Sequence, residues 1–162
     1  MSATPPVDFQ LWQVPGHLIR RTQQLHATIW SERIGDDLTS VQFAVLVALA
    51  QRPELDQRTL ADSLSIDTST LAAVCRRLAD RGFIDRERHT SDARRYVLRV
   101  TPAGDEMVRR LIPAVRDVGD ELLETLTEDE QATLMSLLQR VLEAKGGRDP
   151  LSVAPDSNRL VK

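Results

Sequence analysis

At Gly82 the hydrophobic period of this chain switches from helical to alternating. Before the switch, Asp67 stands where a helix N-cap belongs, and Leu71, Val74 and Leu78 follow at i, i+3 and i+7, predicting a helix from Thr68 to Arg81. Gly82 itself occupies the position of a left-handed C-terminal cap. After it, Phe83-Ile84 open a short strand, and Tyr96, Leu98 and Val100 alternate with Val97 and Arg99 in a second. The polar stretch His89-Thr90-Ser91-Asp92-Ala93 between them reads as a turn, so the two strands form a hairpin. Upstream, Asp56 caps a short helix from Arg58 to Leu64, and only Ser65, Ile66 and Asp67 separate it from the longer one. A short helix, a three-residue turn, a longer capped helix and a basic hairpin predict a helix-turn-helix with a wing.

The flanks are helical. Met1 to Pro15, interrupted by Pro5, Pro6 and Pro15, is expected to be an extended arm. Gly16 to Gly35 carries Leu18, Leu25 and Ile29 as an apolar stripe, with Trp30 beside it. Thr39 and Gln42 make a capping box for a helix whose apolar run, Val41, Phe43 to Leu46, Val47 and Leu49, predicts burial on most sides, with Pro53 ending it. Thr101-Pro102 starts a long helix through Met107, Leu111, Val115, Val118 and Leu122, in which Pro113 predicts a kink. Thr127 and Glu130 form a second capping box, Thr133 to Ala144 is the last predicted helix, and Gly146-Gly147 stops it. The fold class that follows is mainly α with a small β-hairpin wing. An arm (1–15) precedes a helical dimerisation region (16–37 and 101–145) that brackets a winged helix-turn-helix domain (38–100), and a loose tail (146–162) follows.

Charge points to the partner only when counted locally. The whole chain is acidic, with 21 basic and 24 acidic residues. Between 68 and 99, however, eight arginines face four carboxylates, which makes an anion-binding face inside an acidic protein. Thr68, Ser69 and Thr70 are short donors at a helix N-terminus, able to approach a groove and reach phosphates or base edges, and Arg76 and Arg77 follow off the apolar stripe. Ordinary capping and a solvated helix face account for the same residues. Arg86, Arg88, His89, Arg94 and Arg95 crowd the hairpin with no core reason to be basic, and arginine at such a tip suits a narrow minor groove. Asp92, two residues before Arg94, is expected to aim its guanidinium; a plain surface ion pair is the alternative.

Other classes find little support. The chain has no glycine-rich phosphate loop and no nucleophile elbow, so it is not read as an enzyme. One cysteine excludes an intramolecular disulfide, and His17, His26, His89 and Cys75 give no convincing zinc site, so neither metal nor cofactor is expected. No apolar run approaches the ~18 residues of a membrane span. The first fifteen residues lack the marks of a signal peptide, so a cytoplasmic location with no membrane partner is expected.

From Gly16 to Lys145 the chain resembles the MarR family of winged-helix regulators. The resemblance is carried by Leu38-Thr39-Ser40-Val41-Gln42-Phe43, by Asp67 to Ile84 ending in Leu78-Ala79-Asp80-Arg81-Gly82-Phe83-Ile84, by Asp92-Ala93-Arg94, and by Leu98-Arg99-Val100-Thr101-Pro102-Ala103-Gly104. Asp92 and Arg94 match the family's Asp-x-Arg wing signature. Ala93 replaces a frequent arginine there, a contact that Arg95 is placed to supply. The resemblance implies a homodimer built from the first and last helices, a palindromic double-stranded DNA operator, repression, and release by a small molecule, often a phenolic or aromatic acid. The last helix independently suggests dimerisation, because Leu134, Leu137, Leu138, Val141 and Leu142 exceed what a small winged domain must cover; packing against the preceding helix is the alternative. His17, Arg21 and Gln24 at helical spacing, with Trp30, Gln42 and Phe43 as a wall, form the candidate effector site, unless His17 and Arg21 serve surface or intersubunit ion pairs. Pro15-Gly16-His17-Leu18-Ile19-Arg20-Arg21 looks like the branch of the family tied to aromatic catabolism. Two other readings stay open: a winged-helix protein-interaction module without DNA, and a redox-responsive regulator using Cys75. Against the second, the family's peroxide sensors carry their cysteine in the first helix, where this chain has none.

Overall fold

A computed structural model of the chain describes residues 9–52, 55–88 and 96–144. Among these residues six α-helices and a three-stranded antiparallel sheet follow in the order α1 (Pro15–Ile34), α2 (Ser40–Gln51), β1 (Leu55–Asp56), α3 (Gln57–Ser63), α4 (Thr68–Asp80), β2 (Ile84–Arg88), β3 (Tyr96–Val100), α5 (Pro102–Leu123) and α6 (Glu128–Ala144). The mainly α winged-helix class is the observed one. No described helix is long and apolar enough to cross a membrane.

Helix boundaries follow local chemistry. The Thr39 amide donates to the Gln42 side chain (2.9 Å) and the Gln42 amide to the Thr39 hydroxyl (3.2 Å), so the predicted capping box forms. Asp56 accepts the amides of Arg58 and Thr59, Asp67 that of Thr70, and Thr101 that of Gly104. Each satisfies an amide the helix cannot. At the other end of α4, Gly82 takes φ +74°, the Gly82 amide donates to the Ala79 carbonyl, and the Phe83 amide to the Leu78 carbonyl (both 2.9 Å). That pair of bonds is the Schellman motif.

The sheet order is β1-β3-β2, with Leu55 opposite Leu98 and Ile84 opposite Val100. Core residues from α1 (Ile29, Trp30, Ile34), α2 (Val45, Leu46, Leu49), α3 (Leu60), α4 (Leu71, Cys75, Leu78), the sheet (Ile84, Leu98) and α5 (Val108, Leu111, Val118) form one buried cluster. The start of α5 is pressed onto the end of α4. The Thr101 hydroxyl donates to the Gly82 carbonyl at 2.7 Å, and a Cβ on Gly104 would overlap the Phe83 carbonyl oxygen. Only glycine fits there.

Three expectations are modified. Leu11–Gln13 forms a single 3-10 turn inside the segment read as an extended arm. Leu55–Asp56 adds a third strand that two residues could not announce. The last helix begins at Glu128, directly after its Thr127–Glu130 capping box, and not at Thr133. Helix α5 runs through Pro113 as the apolar pattern implies, and both Pro113 and Arg109, whose carbonyl loses its amide partner, are exposed to water. The arm before Phe9, Pro53 and the tail from 146 lie outside the described residues.

Candidate nucleic-acid interface

The geometry of α4 begins with its buried stripe. Leu71, Val74, Cys75 and Leu78 face the core. At about 3.6 residues per turn, Ser69, Ala73 and Arg76 then point directly away from it, flanked by Thr70 and Arg77. Thr68, Ser69, Thr70, Arg76 and Arg77 are all exposed. Among the described residues neither Arg76 nor Arg77 has an ion-pair partner. The outward face is thus narrow at Ser69 and Ala73 and cationic one turn later, a shape suited to entering a groove N-terminus first.

The hydroxyls at the tip have a local task as well. Ser69 donates to the Asp67 carboxylate, and this bond, followed by those from Thr70, holds the Asp67 carboxyl well below the ordinary carboxylate range. Asp67 therefore stays ionised, and the cap keeps the first turn of α4 in place. Ser69 spends its proton on the cap and keeps its lone pairs toward solvent.

The wing strands stand beside this helix. Ile84 and Arg86 share a strand face with Tyr96 and Leu98, the face turned to the helices. The Arg86 guanidinium lies 3.8 Å from the Tyr96 ring centroid. Arg86 and Tyr96 line an open cleft of about 690 Å³ together with Arg58 and Thr59 at the start of α3 and Thr68 at the start of α4. The root of the wing and the tip of the reading helix therefore border one space. On the other face, Arg99 pairs with the diagonal neighbour Glu87 at 2.7 Å. His89, Asp92, Ala93, Arg94 and Arg95, and the Arg88 side chain, lie outside what is described.

The six candidate effector residues fall into two groups. At the start of α1, His17 is half-buried, edge-on to Trp12 (6.0 Å between centroids) and 3.5 Å from Arg20 Nη2, while Arg21 sits over Trp12 at 5.0 Å and Gln24 is exposed. At its end, Trp30 is buried, donates Nε1–H to the Leu38 carbonyl at 2.7 Å and packs 5.8 Å from Phe43; Gln42 is buried with its side chain committed to the capping box. Thirteen residues of helix rise separate His17 from Trp30, roughly 20 Å. Within one chain the two groups do not line a single small-molecule pocket. The second group includes a residue that reading by spacing left out. His26, one turn before Trp30, has its ring 5.7 Å from the indole, and its Nδ1 is buried without a hydrogen-bond partner. Its i, i+4 relation to Trp30 was visible in the sequence; its unmet nitrogen was not.

Cys75 is fully buried, and desolvation pushes its thiol up to about 11 against the opposing field of Arg86. It remains protonated at neutral pH and packs as a small apolar group.

Comparison with known proteins agrees with this geometry. The MarR family model matches residues 38–96, from the start of α2 to the wing. The transcriptional regulator HosA of Escherichia coli O111:H- is 31% identical over 128 residues, 79% of this chain and 94% of that protein. Among solved structures, the PcaV transcriptional regulator of Streptomyces coelicolor in complex with its natural ligand superposes with a TM-score of 0.80 at 40% identity, over 86% of this chain and 99% of the other. A cysteine-to-serine mutant of MarR from Escherichia coli, complexed with operator DNA, gives 0.71 at 30% identity over 78% and 92%.

Proposed function

The chain belongs to the MarR family of transcriptional regulators, and from that premise we propose that it acts in the cytoplasm as a homodimeric repressor that leaves its operator when an aromatic acid binds. The observation that carries the DNA half of this reading is the joint presentation of α4 and the wing. Ser69, Ala73 and Arg76 face outward from a helix whose first residue, Thr68, shares a cleft with Arg86 of the wing. Thr68, Ser69, Thr70, Arg76 and Arg77 read or hold the major groove, while Arg88, Arg94 and Arg95 reach the flanking groove with Asp92 orienting Arg94. The operator-bound MarR supports this use of the fold.

Dimerisation is supported by where apolar surface is left uncovered. Among the described residues every exposed large apolar side chain except Val41 lies between Phe9 and Leu25 or between Met135 and Leu142. The first run spans the end of the arm and the start of 16–37, the second lies within 101–145, and a second copy covers both. Two-fold symmetry then sets two α4 helices about 34 Å apart, one turn of DNA.

The effector reading is supported by His26, Trp30 and Phe43. A buried imidazole nitrogen without a partner, flanked by two aromatic rings, suits a ligand that pairs a flat ring with a carboxylate or phenol. The ligand-bound PcaV supports a small-molecule response in a close structural likeness. The test is fluorescence anisotropy on the DNA upstream of the gene, with a salt titration, repeated in the presence of each monohydroxybenzoate. Binding that weakens steeply with salt and is released by one of these acids is the expected result. Affinity indifferent to salt sinks the DNA reading and leaves the protein-interaction module in its place.

A further inference from the structure

Two adjacent carbonyls in the turn between α1 and α2 tie three parts of the molecule together. The Leu38 carbonyl accepts Trp30 Nε1–H at 2.7 Å. The Asp37 carbonyl, one residue earlier, accepts from the Arg81 guanidinium. The Asp37 carboxylate takes Arg110 Nη2 at 3.1 Å. Trp30 is the middle ring of the His26–Trp30–Phe43 row, Arg81 is the C-cap of α4, and Arg110 belongs to α5. Arg81 is itself held. Its guanidinium lies 4.8 Å from the Phe83 ring centroid, and Phe83 is fixed by the Schellman bond to Leu78 and by accepting the Thr101 amide at 3.0 Å.

We infer that Arg81 is a positioning residue that relays the state of the His26–Trp30–Phe43 row to the reading helix through the Asp37–Leu38 turn. The inference rests on the effector reading above and adds the route by which the site is coupled to DNA. The two carbonyls belong to consecutive peptide planes, which rotate about the Leu38 backbone and do not stretch. A ligand that re-seats Trp30 drags the Leu38 carbonyl, re-aims the Asp37 carbonyl, and pulls Arg81 at the C-terminal end of α4. The Schellman cap and the glycine contact at Gly104 make that end of the helix stiff, so a displacement there tilts α4 as a body. Arg110 supplies the fixed point on α5 against which the turn pivots. Arg81 belongs by sequence to the basic block; its guanidinium donates to the Asp37 carbonyl of the turn, so its contribution is to aim and not to contact.

The experiment compares the full-length wild type with Arg81→Met, which keeps a stem over Phe83 but donates nothing, and Arg81→Lys, which restores a donor. Operator affinity is measured with and without the monohydroxybenzoate that releases the wild type, and the readout is the ratio of the two. The expected result is a ratio about fivefold smaller in Arg81→Met, with recovery in Arg81→Lys. A second measurement needs no ligand: in a double-mutant cycle on operator affinity, Trp30→Phe and Arg81→Met are expected to be non-additive by about threefold. A wild type that binds DNA and responds to no acid of the panel defeats the effector reading, and the cycle then decides the relay alone. An unchanged ratio in a responsive protein, or strict additivity in the cycle, overturns the relay while leaving the effector reading intact.

Discussion

Helices α4 and α6 are both amphipathic, with apolar residues at helical spacing, yet they end in opposite circumstances. Helix α4 buries Leu71, Cys75 and Leu78 completely, whereas α6 has no buried residue and leaves Val141 and Leu142 61% and 62% exposed. The difference lies in what each apolar stripe faces. The stripe of α4 meets α2, α3 and the sheet of its own chain; among the described residues, that of α6 meets no such cover. Amphipathicity in a sequence announces that a partner exists, without saying whether the same chain supplies it. Helix α4 is therefore a finished element that can be tested by stability, and α6 an unfinished one that must be tested by assembly.

The sharpest break between the two comes from emptying the α4 stripe. Leu71→Ala should cost about 3 kcal/mol of unfolding free energy, read from urea denaturation followed by circular dichroism. The matching truncation in α6, Leu142→Ala, should change the stability of the isolated monomer far less, and equal losses would mean that α6 is packed against its own chain. Next, Leu138→Glu with Leu142→Glu should leave the monomer folded but shift it off the dimer in sedimentation. The same pair should lower operator affinity at least about a hundredfold, because two half-sites are no longer engaged together. A folded monomer of the double variant that binds the full operator as tightly as the wild type would falsify the dimer reading. Smaller again is Arg76→Ala, expected to leave stability unchanged while reducing the slope of log affinity against log salt by about one unit. A slope identical to that of the wild type would remove Arg76 from the phosphate contacts.

The smallest effect concerns the cap of α4. The folded-state pKa of Asp67 is depressed by the Ser69 and Thr70 hydrogen bonds, so its stabilising contribution is fully present above the unfolded value of 3.8 and is lost as the pH falls below that value toward the folded one. Asp67→Asn should flatten the acid limb of the stability profile below about pH 4 and leave the neutral region nearly unchanged, since asparagine also caps. An acid limb identical in both proteins would place the titrating group elsewhere.

What could be read from the sequence was what local chemistry decides. Asp67, Gly82, Thr39 with Gln42, and Thr101-Pro102 each mark a helix end by satisfying a few nearby amides or carbonyls, and all of them act as their spacing suggests. Strand β1 escaped because two residues carry no period; it exists only through its register with Leu98 and Val97. Helix α6 starts before its apolar stripe does, because Glu128, Asp129 and Glu130 carry no apolar residue; their charge suits a first turn, and the capping box marks it. In the effector region, periodicity put His17, Arg21 and Gln24 with Trp30 on one helix but did not register the distance along its axis. Trp30 and Gln42, read as part of the wall of the effector site, have polar atoms already engaged: the indole N–H donates to the Leu38 carbonyl, and the Gln42 side-chain oxygen accepts the Thr39 amide in the capping box. Which polar atoms remain available is a property of the folded neighbourhood, and only there does the idle nitrogen of His26 come into view.

The buried cluster that runs without interruption from Trp30 and Ile34, through Leu38, Leu46 and Leu49, to Leu71 and Leu78 has a practical corollary for anyone wishing to cut this protein down. Excising the reading module at its boundaries, near 38 and 100, would strip away the floor on which α2 rests and uncover its helix on the side now covered by α1 and α5. Such a fragment is expected to clump or melt instead of binding DNA as a miniature, so transplanting this specificity onto another scaffold requires carrying α1 and α5 along with it.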